Sequence, residues 1–467
     1  MSHYKPDPNK SVNLTIDGIP VTVPEGTTIL EAARKVNVQI PTLCDHPDLR
    51  RRAVCRLCVV ECDGRGKLVA ACANDVWEGV SVVTNNARLV SIRKTIIELM
   101  LANHPQDCLG CVKNTKCELQ SLAERFGIRA TPFRRGPLKQ GSEIAGGTLV
   151  RDMGKCVKCG RCVEVCQEIH TVRAINTSHR SVNFEISTPY GQALGDGPCV
   201  FCSQCAEVCP VGAIYAHDQT AEVWAILNKS ERHVAALLAP STASALSAEF
   251  NLPLESITVG KITTALKAIG FSHVYNAGIF RDMIVREQIS ELVMRNKNSY
   301  SLPMISCCSQ SSVKFIKEFY PDLVDHLYTG KSPSQIFAAM AKGKHSGDTV
   351  GVSKIIHISI TPCTAAKFEI RQSEKDGSEN VDFALTAGEL AEMIRMAGIE
   401  IKNLAESPFD NLNDDFTGKI DEHDILTVNG LANARVVMDS IRKGECGAAL
   451  VKLNCCTVCS AQQDIKA

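Results

Sequence analysis

The densest chemistry in the chain lies between Cys156 and Pro210. Cys156, Cys159, Cys162 and Cys166 follow C-x2-C-x2-C-x3-C, and Cys199, Cys202, Cys205 and Cys209 repeat that run and close on Pro210. In such a run the fourth cysteine of each half ligates the cluster of the other half. Two 4Fe–4S clusters are therefore expected. One takes Cys156, Cys159, Cys162 and Cys209, and the other takes Cys199, Cys202, Cys205 and Cys166. A zinc ribbon or disulfides are the alternatives, and eight thiols at this spacing fit neither as well.

Three more sets of ligand-type residues flank this run. Cys44, Cys55, Cys58 and Cys72 are spaced x10, x2 and x13. His104, Cys108, Cys111 and Cys117 read H-x3-C-x2-C-x5-C. Three thiolates and an imidazole also suit zinc. The two spacings resemble, respectively, the 2Fe–2S domain and the His-ligated 4Fe–4S cluster shared by complex I's large peripheral subunit and the iron-only hydrogenases. By that resemblance the first set holds a 2Fe–2S cluster and the second a 4Fe–4S cluster. Downstream, Cys308, Cys363, Cys455 and Cys459 could hold one more cubane. Cys62, Cys307, Cys446 and Cys456 are left over, and the plain reading of each is a small buried thiol.

The elements that must position these residues can be read in outline. Residues 11–23 alternate around Asp17-Gly18, a hairpin signal. A helix over Thr27 to Val36 follows, with Ile29, Leu30, Ala33 and Val36 on one face. Hairpin plus helix suits a β-grasp ferredoxin. Leu89–Leu101 is helical and leads into His104. From about Ser230 the pattern becomes α/β: Lys261–Ile269 helical, His273–Asn276 extended, Met283–Met294 helical. Apolar runs ending near Ile305, at Ile355–Ile360 and at Ala448–Leu453 each lead into one of the downstream cysteine loops. The carboxyl ends of strands are where an open α/β sheet places its sites. The expected fold class is α+β multidomain: a β-grasp 2Fe–2S domain over 1–88, a His-ligated cluster domain over 89–148, a twin 4Fe–4S ferredoxin domain over 149–228, and an α/β domain over 229–467.

Lys plus Arg and Asp plus Glu both number 51, so no net field points to nucleic acid or an anionic membrane. The opening MSHYKPDPNK lacks the apolar core of a signal peptide, and no apolar run reaches membrane-spanning length. The 23 cysteines are expected to be metal ligands in a reducing cytoplasm. Gly64-Arg65-Gly66 lacks the third glycine and the helix of a dinucleotide fingerprint. Flavin and NAD(P) are thus expected on partner subunits rather than here.

Over essentially its whole length the chain resembles an iron-only (FeFe) hydrogenase large subunit, with the modules in the same order. Ala239-Pro240, Gly260-Lys261, Lys331-Ser332-Pro333 and Pro362-Cys363-Thr364-Ala365 carry that resemblance in the last domain. It implies that Cys308, Cys363, Cys455 and Cys459 hold the cubane of the H-cluster, with Cys459 bridging to a diiron unit and Cys307 in the proton-relay position. The departures fall around the diiron pocket. The family's T-S-C-C-P-x-W is Ile305-Ser306-Cys307-Cys308-Ser309-Gln310-Ser311, and its K-S-P-Q is Lys331-Ser332-Pro333-Ser334. Its M-P-C-T-A-K-K is Thr361-Pro362-Cys363-Thr364-Ala365-Ala366-Lys367, so the lysine that grips a cyanide is Ala366. The glycines around the last two cysteines are gone, and so is the Gly-rich segment expected between Cys363 and Cys455. An anionic diiron unit in a dry pocket needs cations or donors against its cyanides.

The expectation is a truncated hydrogenase-like domain that keeps its cubane and lacks the diiron subcluster, with no catalytic residue in this chain. Among relatives of this kind it resembles the iron–sulfur subunit of electron-bifurcating transhydrogenases of the Sporomusa type. That resemblance implies a flavoprotein NAD(P)-binding subunit, a small 2Fe–2S subunit and soluble ferredoxin as partners. The alternative is a divergent hydrogenase that makes or oxidises dihydrogen.

Overall fold

The computed structural model describes residues 7, 9–63, 68–134, 141–229, 233–297, 301–345, 355–377, 380–410 and 425–455. Gly64, Gly66, Cys456 and Cys459 lie outside the described residues, as do 411–424.

Asp17 and Gly18 both take left-handed backbone, φ 50° and 80°. A two-residue turn between antiparallel strands needs that geometry. Ser11–Ile16 accordingly pairs with Ile19–Pro24, with Ile16 opposite Ile19. Ser11–Ile16 also pairs in parallel with Ser81–Val83, and Val59–Cys62 and Leu68–Ala70 complete a five-stranded sheet. The helix Ile29–Lys35 starts at a capping box, in which Thr28 and Glu31 satisfy each other's backbone N–H. It lays Ile29, Leu30, Ala32 and Ala33 against the sheet, which makes the expected β-grasp unit. Cys62 is buried on the strand Val59–Cys62 within this core.

Ala87–Ala102 is a helix capped by the Asn86 side chain, and Glu118–Arg125 begins at Cys117. The twin-run module is built on Leu149–Asp152, flanked antiparallel by Ser142–Ala145 and Ile214–Ala216. Its cysteines sit on loops and on two short helices, Arg161–Glu164 and Gln204–Glu207. The first of these continues into a π-turn, Val165–Ile169.

The C-terminal region is α/β, but its strands form two parallel sheets rather than one. His273–Asn276, Val234–Leu238, Ile356–Ile360 and Phe383–Leu385 form the first. Met304–Cys307, Leu450–Asn454 and Ile425–Asn429 form the second. Val234–Leu238 and Ile356–Ile360 are buried at every position, as strands covered on both faces must be. The helix Gly278–Lys297 is longer than the expected Met283–Met294, because the helical run continues past both ends of the periodic apolar stretch. No helix among the described residues is long and apolar enough to cross a membrane.

Two hydrophobic cores run across module boundaries. One contains Leu43, Cys44, Cys55, Ile97, Cys117, Cys159 and Val211, with Cys156 and Cys209 packed against it. The other contains Cys162, Cys199, Cys205, Phe315, Leu453 and Cys455, with Cys166, Cys202, Cys307 and Cys446 against it. Cysteines of the β-grasp unit, and Cys117, thus share a core with the twin run, and the twin run shares another with Cys455 of the second parallel sheet, while Cys108 and Cys308 are exposed.

Candidate metal centres

Cys44, Cys55, Cys58 and Cys72 converge at the edge of the β-grasp sheet. Cys58 Sγ and Cys72 Sγ stand 3.4 Å apart. Hydrogen bonds from Cys55 and Cys72 hold the Cys44 thiol far below its usual range, while Cys55 and Cys72 are pushed up, chiefly by the same contacts with Cys44. Four thiols this close cannot all ionise unless a cation neutralises them. The loop carrying Cys55 and Cys58 is fixed by buried Arg93, which donates to the carbonyls of Leu57 (3.1 Å), Val59 (2.7 Å) and Thr84 (2.9 Å).

His104 is buried just past the helix Ala87–Ala102. Of its companions Cys117 is buried, Cys111 half-buried and Cys108 exposed. Cys111 abuts the end of the twin run: a Cβ on Gly212 would come within 2.7 Å of Cys111 Sγ, so only glycine fits there. Beside it the Glu118 N–H donates to the Pro210 carbonyl at 3.0 Å.

The eight cysteines of the twin run sort into two small cavities. Cys156, Cys159, Cys162 and Cys209 line one. Cys166, Cys199, Cys202 and Cys205 line the other. Backbone N–H groups are aimed at the sulfurs: Lys158 N lies 3.4 Å from Cys156 Sγ, and Phe201 N lies 3.5 Å from Cys199 Sγ. The amides of Arg161, of Gln204, and of Arg173, Ala174 and Ile175 serve Cys159, Cys202 and Cys166 in the same way. Burial pushes Cys162 and Cys205 well up, since neither has such donors. Donors that favour thiolate, inside cavities that otherwise penalise charge, fit a cationic iron core bound by these sulfurs. Among the described residues no three His, Cys, Asp or Glu side chains converge as ligands of a single ion. A cubane, in contrast, offers a separate iron to each of its four thiolates.

In the C-terminal region the structure brings Cys308 and Cys455 together. They follow adjacent parallel strands, and Cys455 N donates to Cys308 Sγ at 3.3 Å. Cys363 follows Ile356–Ile360 in the other sheet, and the helices that start after Cys308 and Cys363, Gln310–Phe319 and Ala365–Asp376, pack on each other. Cys459, the fourth expected ligand, lies outside the described residues. Cys307 is half-buried, and burial pushes its thiol up.

Several residues that no spacing announced hold these centres together. Arg161, between Cys159 and Cys162, meets the Glu118 carboxylate with both Nη atoms (2.5 and 2.8 Å) and the Asp45 carbonyl at 2.8 Å. One guanidinium therefore ties the residues just after Cys44 and Cys117 to the twin run. Arg52 pairs with Glu164 at 2.7 Å and lies over Gly160, whose φ is +80° and whose Cβ would strike the guanidinium. Arg435, stacked on Phe315 and Phe319, donates to the Thr171 hydroxyl and carbonyl, both at 2.7 Å. Arg161 and Arg52 stand beside cysteine motifs in the sequence, and Arg435 does not.

Comparison with known proteins matches successive stretches of the chain. Residues 9–87 match the family described as "2Fe-2S iron-sulfur cluster binding domain", and 93–132 match "NADH-ubiquinone oxidoreductase-G iron-sulfur binding region". Residues 139–215 match "4Fe-4S dicluster domain", and 232–424 match "Iron only hydrogenase large subunit, C-terminal domain". The "NADP-reducing hydrogenase subunit HndD" of Solidesulfovibrio fructosivorans is 35% identical over 414 residues, which cover 85% of this chain and 71% of that protein. "Iron hydrogenase 1" of Clostridium pasteurianum is 32% identical, over 87% of this chain and 71% of that one. The chain belongs to the iron-only hydrogenase large-subunit family. The "NADH-ubiquinone oxidoreductase 75 kDa subunit" of Reclinomonas americana is 36% identical over 179 residues, 38% of this chain but 26% of that one. As a member of the hydrogenase family carrying 2Fe–2S and 4Fe–4S binding domains, the chain is an iron–sulfur electron-transfer protein of the oxidoreductase class.

Proposed function

We propose that this chain is the iron–sulfur subunit of a flavin-containing, electron-bifurcating NAD(P)/ferredoxin oxidoreductase complex. It carries one 2Fe–2S cluster on Cys44, Cys55, Cys58 and Cys72, and four 4Fe–4S clusters. The cubane ligands are His104, Cys108, Cys111 and Cys117; Cys156, Cys159, Cys162 and Cys209; Cys199, Cys202, Cys205 and Cys166; and Cys308, Cys363, Cys455 and Cys459. The division at 1–88, 89–148, 149–228 and 229–467 is part of this reading.

The observation that carries it is that two cores each hold cysteines of more than one ligand set. Packed protein between neighbouring sets favours one-electron transfer from set to set. A flavoprotein partner follows from chemistry, because hydride delivered by a nicotinamide must be split into single electrons. The small 2Fe–2S partner, soluble ferredoxin and a cytoplasmic setting follow from resemblance to the bifurcating complexes. The absence of a diiron subcluster is supported by what surrounds Cys363: Ala366 offers no cation and packs against the apolar core of the first sheet.

The test uses the purified, cluster-loaded chain without oxygen. Reduced ferredoxin should bleach it, and NADH or NADPH should not. Rapid bleaching by either nucleotide without flavin overturns the partner assignment. Supplying a synthetic diiron complex should leave no carbonyl or cyanide infrared bands and no hydrogen turnover with a viologen dye. Stable bands, with turnover lost in Cys307→Ala, would make the chain a divergent hydrogenase.

A further inference from the structure

The cavity lined by Cys166, Cys199, Cys202 and Cys205 has three polar side chains in its wall that the cluster assignment does not use, Ser203, Gln204 and His170. Ser203 Oγ is buried without a hydrogen-bond partner among the described residues, and His170 adds a ring N–H. The residue is 5% exposed, and its Nδ1 is buried with no hydrogen-bond partner among the described residues. A buried imidazole nitrogen without a partner is costly, so its persistence calls for a ligand. The corresponding cavity of Cys156, Cys159, Cys162 and Cys209 is lined by Met153, Val157, Ile186, Val211, Ala213 and Ile214 and has no such group.

The backbone around His170 is held firmly. It stands at the end of the π-turn Val165–Ile169, and its N–H donates to the Val165 carbonyl at 2.9 Å. The next residue, Thr171, takes φ 55° and is gripped by Arg435 from the C-terminal region. Burial lowers the ring's pKa, against a smaller opposing contact from Gln204. The neutral ring carries one N–H, and it sits on Nδ1 when Nε2 accepts from the Gln204 amide.

We propose that His170 donates a hydrogen bond from Nδ1 to a sulfur of the cluster held by Cys166, Cys199, Cys202 and Cys205, and thereby raises that cluster's potential above that of its twin. The inference rests on the ligand sets given above. A donor to cluster sulfur stabilises the more negative, reduced state, and such bonds are among the protein's means of setting cluster potentials. The asymmetry biases electrons toward the side of the twin module that faces the C-terminal cubane. His170 is a positioning residue in this scheme and binds no substrate.

The experiment is a redox titration of the full, cluster-loaded chain, followed by electron paramagnetic resonance. His170→Leu should make one of the twin cubanes about tenfold harder to reduce, roughly 59 mV for one electron, with iron content unchanged. His170→Asn keeps an N–H near the same place and should recover most of the shift. An unchanged potential in His170→Leu, or equal shifts in both variants, overturns the proposal while leaving the cluster assignment intact. Should His170→Leu fail to assemble, pulsed spectra of the unsubstituted chain with 15N-histidine decide. A weak nitrogen coupling to a twin cubane, distinct from that of ligating His104, is expected, and its absence refutes the hydrogen bond. If the unsubstituted chain shows no second twin cubane at all, the ligand assignment itself has failed.

Discussion

Arg161→Met should open the junction between the three N-terminal cluster modules without unfolding any of them. The guanidinium makes two charged contacts to Glu118 and one to the Asp45 carbonyl. Hydrogen bonds of this type contribute about 1.5–3 kcal/mol each where solvent is excluded. The Arg161 side chain is 6% exposed but that of Glu118 is 45% exposed, so the carboxylate regains water once its partner is gone. That places the cost at the lower end for a broken ion pair, about 2 kcal/mol in all. Methionine keeps much of the apolar stem, so little packing is lost with the charge. A local change of about 2 kcal/mol speeds exchange of the protected amides roughly thirtyfold. Glu118 N–H, bonded to the Pro210 carbonyl across the junction, is the reporter. Hydrogen exchange of a peptide starting near Cys117 should accelerate by about that factor at unchanged iron content. A double-mutant cycle with Glu118→Gln should return a coupling of about 1–2 kcal/mol. Unchanged exchange at Glu118, or a coupling indistinguishable from zero, would show that Arg161 does not hold the junction.

Two further outcomes concern the metal sites. Protein purified without oxygen should contain ~18 iron atoms per chain from one 2Fe–2S and four 4Fe–4S clusters, with zinc well below one per chain; one full zinc lost in His104→Ala would turn that site into a zinc site. Cys308→Ala should remove one 4Fe–4S signal from the reduced spectrum and lower the thermal stability of the C-terminal region, because thiolate–metal binding is coupled to folding. Retention of all iron in that variant would leave the Cys308 set without a cluster.

Much of the site was legible because cluster ligands lie close together in sequence. Cys199, Cys202 and Cys205 need only a short loop to face one centre, and the swapped fourth ligand is written into the repeat. The Asp17-Gly18 hairpin and the strand His273–Asn276 were legible for the same local reason. What holds the modules together was not. Arg161 reaches Asp45 across 116 residues, and Arg435 reaches Thr171 across 264. No local periodicity encodes such pairs. The split of the C-terminal strands into two sheets depends on Met304–Cys307 pairing with Leu450–Asn454, which is equally invisible to a short window.

On the proposed reading the domain keeps a cubane and lacks the diiron catalyst, and the residues that depart from the family around Cys363 bear on that reading. Thr361, where the family has methionine, accepts a hydrogen bond from the Cys363 backbone N–H at 3.3 Å. Ser309, where the family has proline, lies 3.7 Å from Cys308 Sγ through its hydroxyl. Ser332, which the family shares, donates to the Glu369 carboxylate, whose pKa burial pushes up. Ala366 closes against the apolar core that contains Phe280 and Phe337. Each of these groups serves the protein's own loops and ligands rather than an external anion. A pocket built for cyanide-bearing iron would hold donors in reserve, facing a space that apoprotein leaves polar and costly. Here Thr361 and Ser309 are engaged directly at the cysteines, whereas Ser311, in place of the family's tryptophan, keeps a buried hydroxyl with no hydrogen-bond partner among the described residues. On the proposed reading, groups engaged at the cysteines themselves favour a fixed thiolate set for electron transfer, since a cluster that only passes electrons needs its ligands held still.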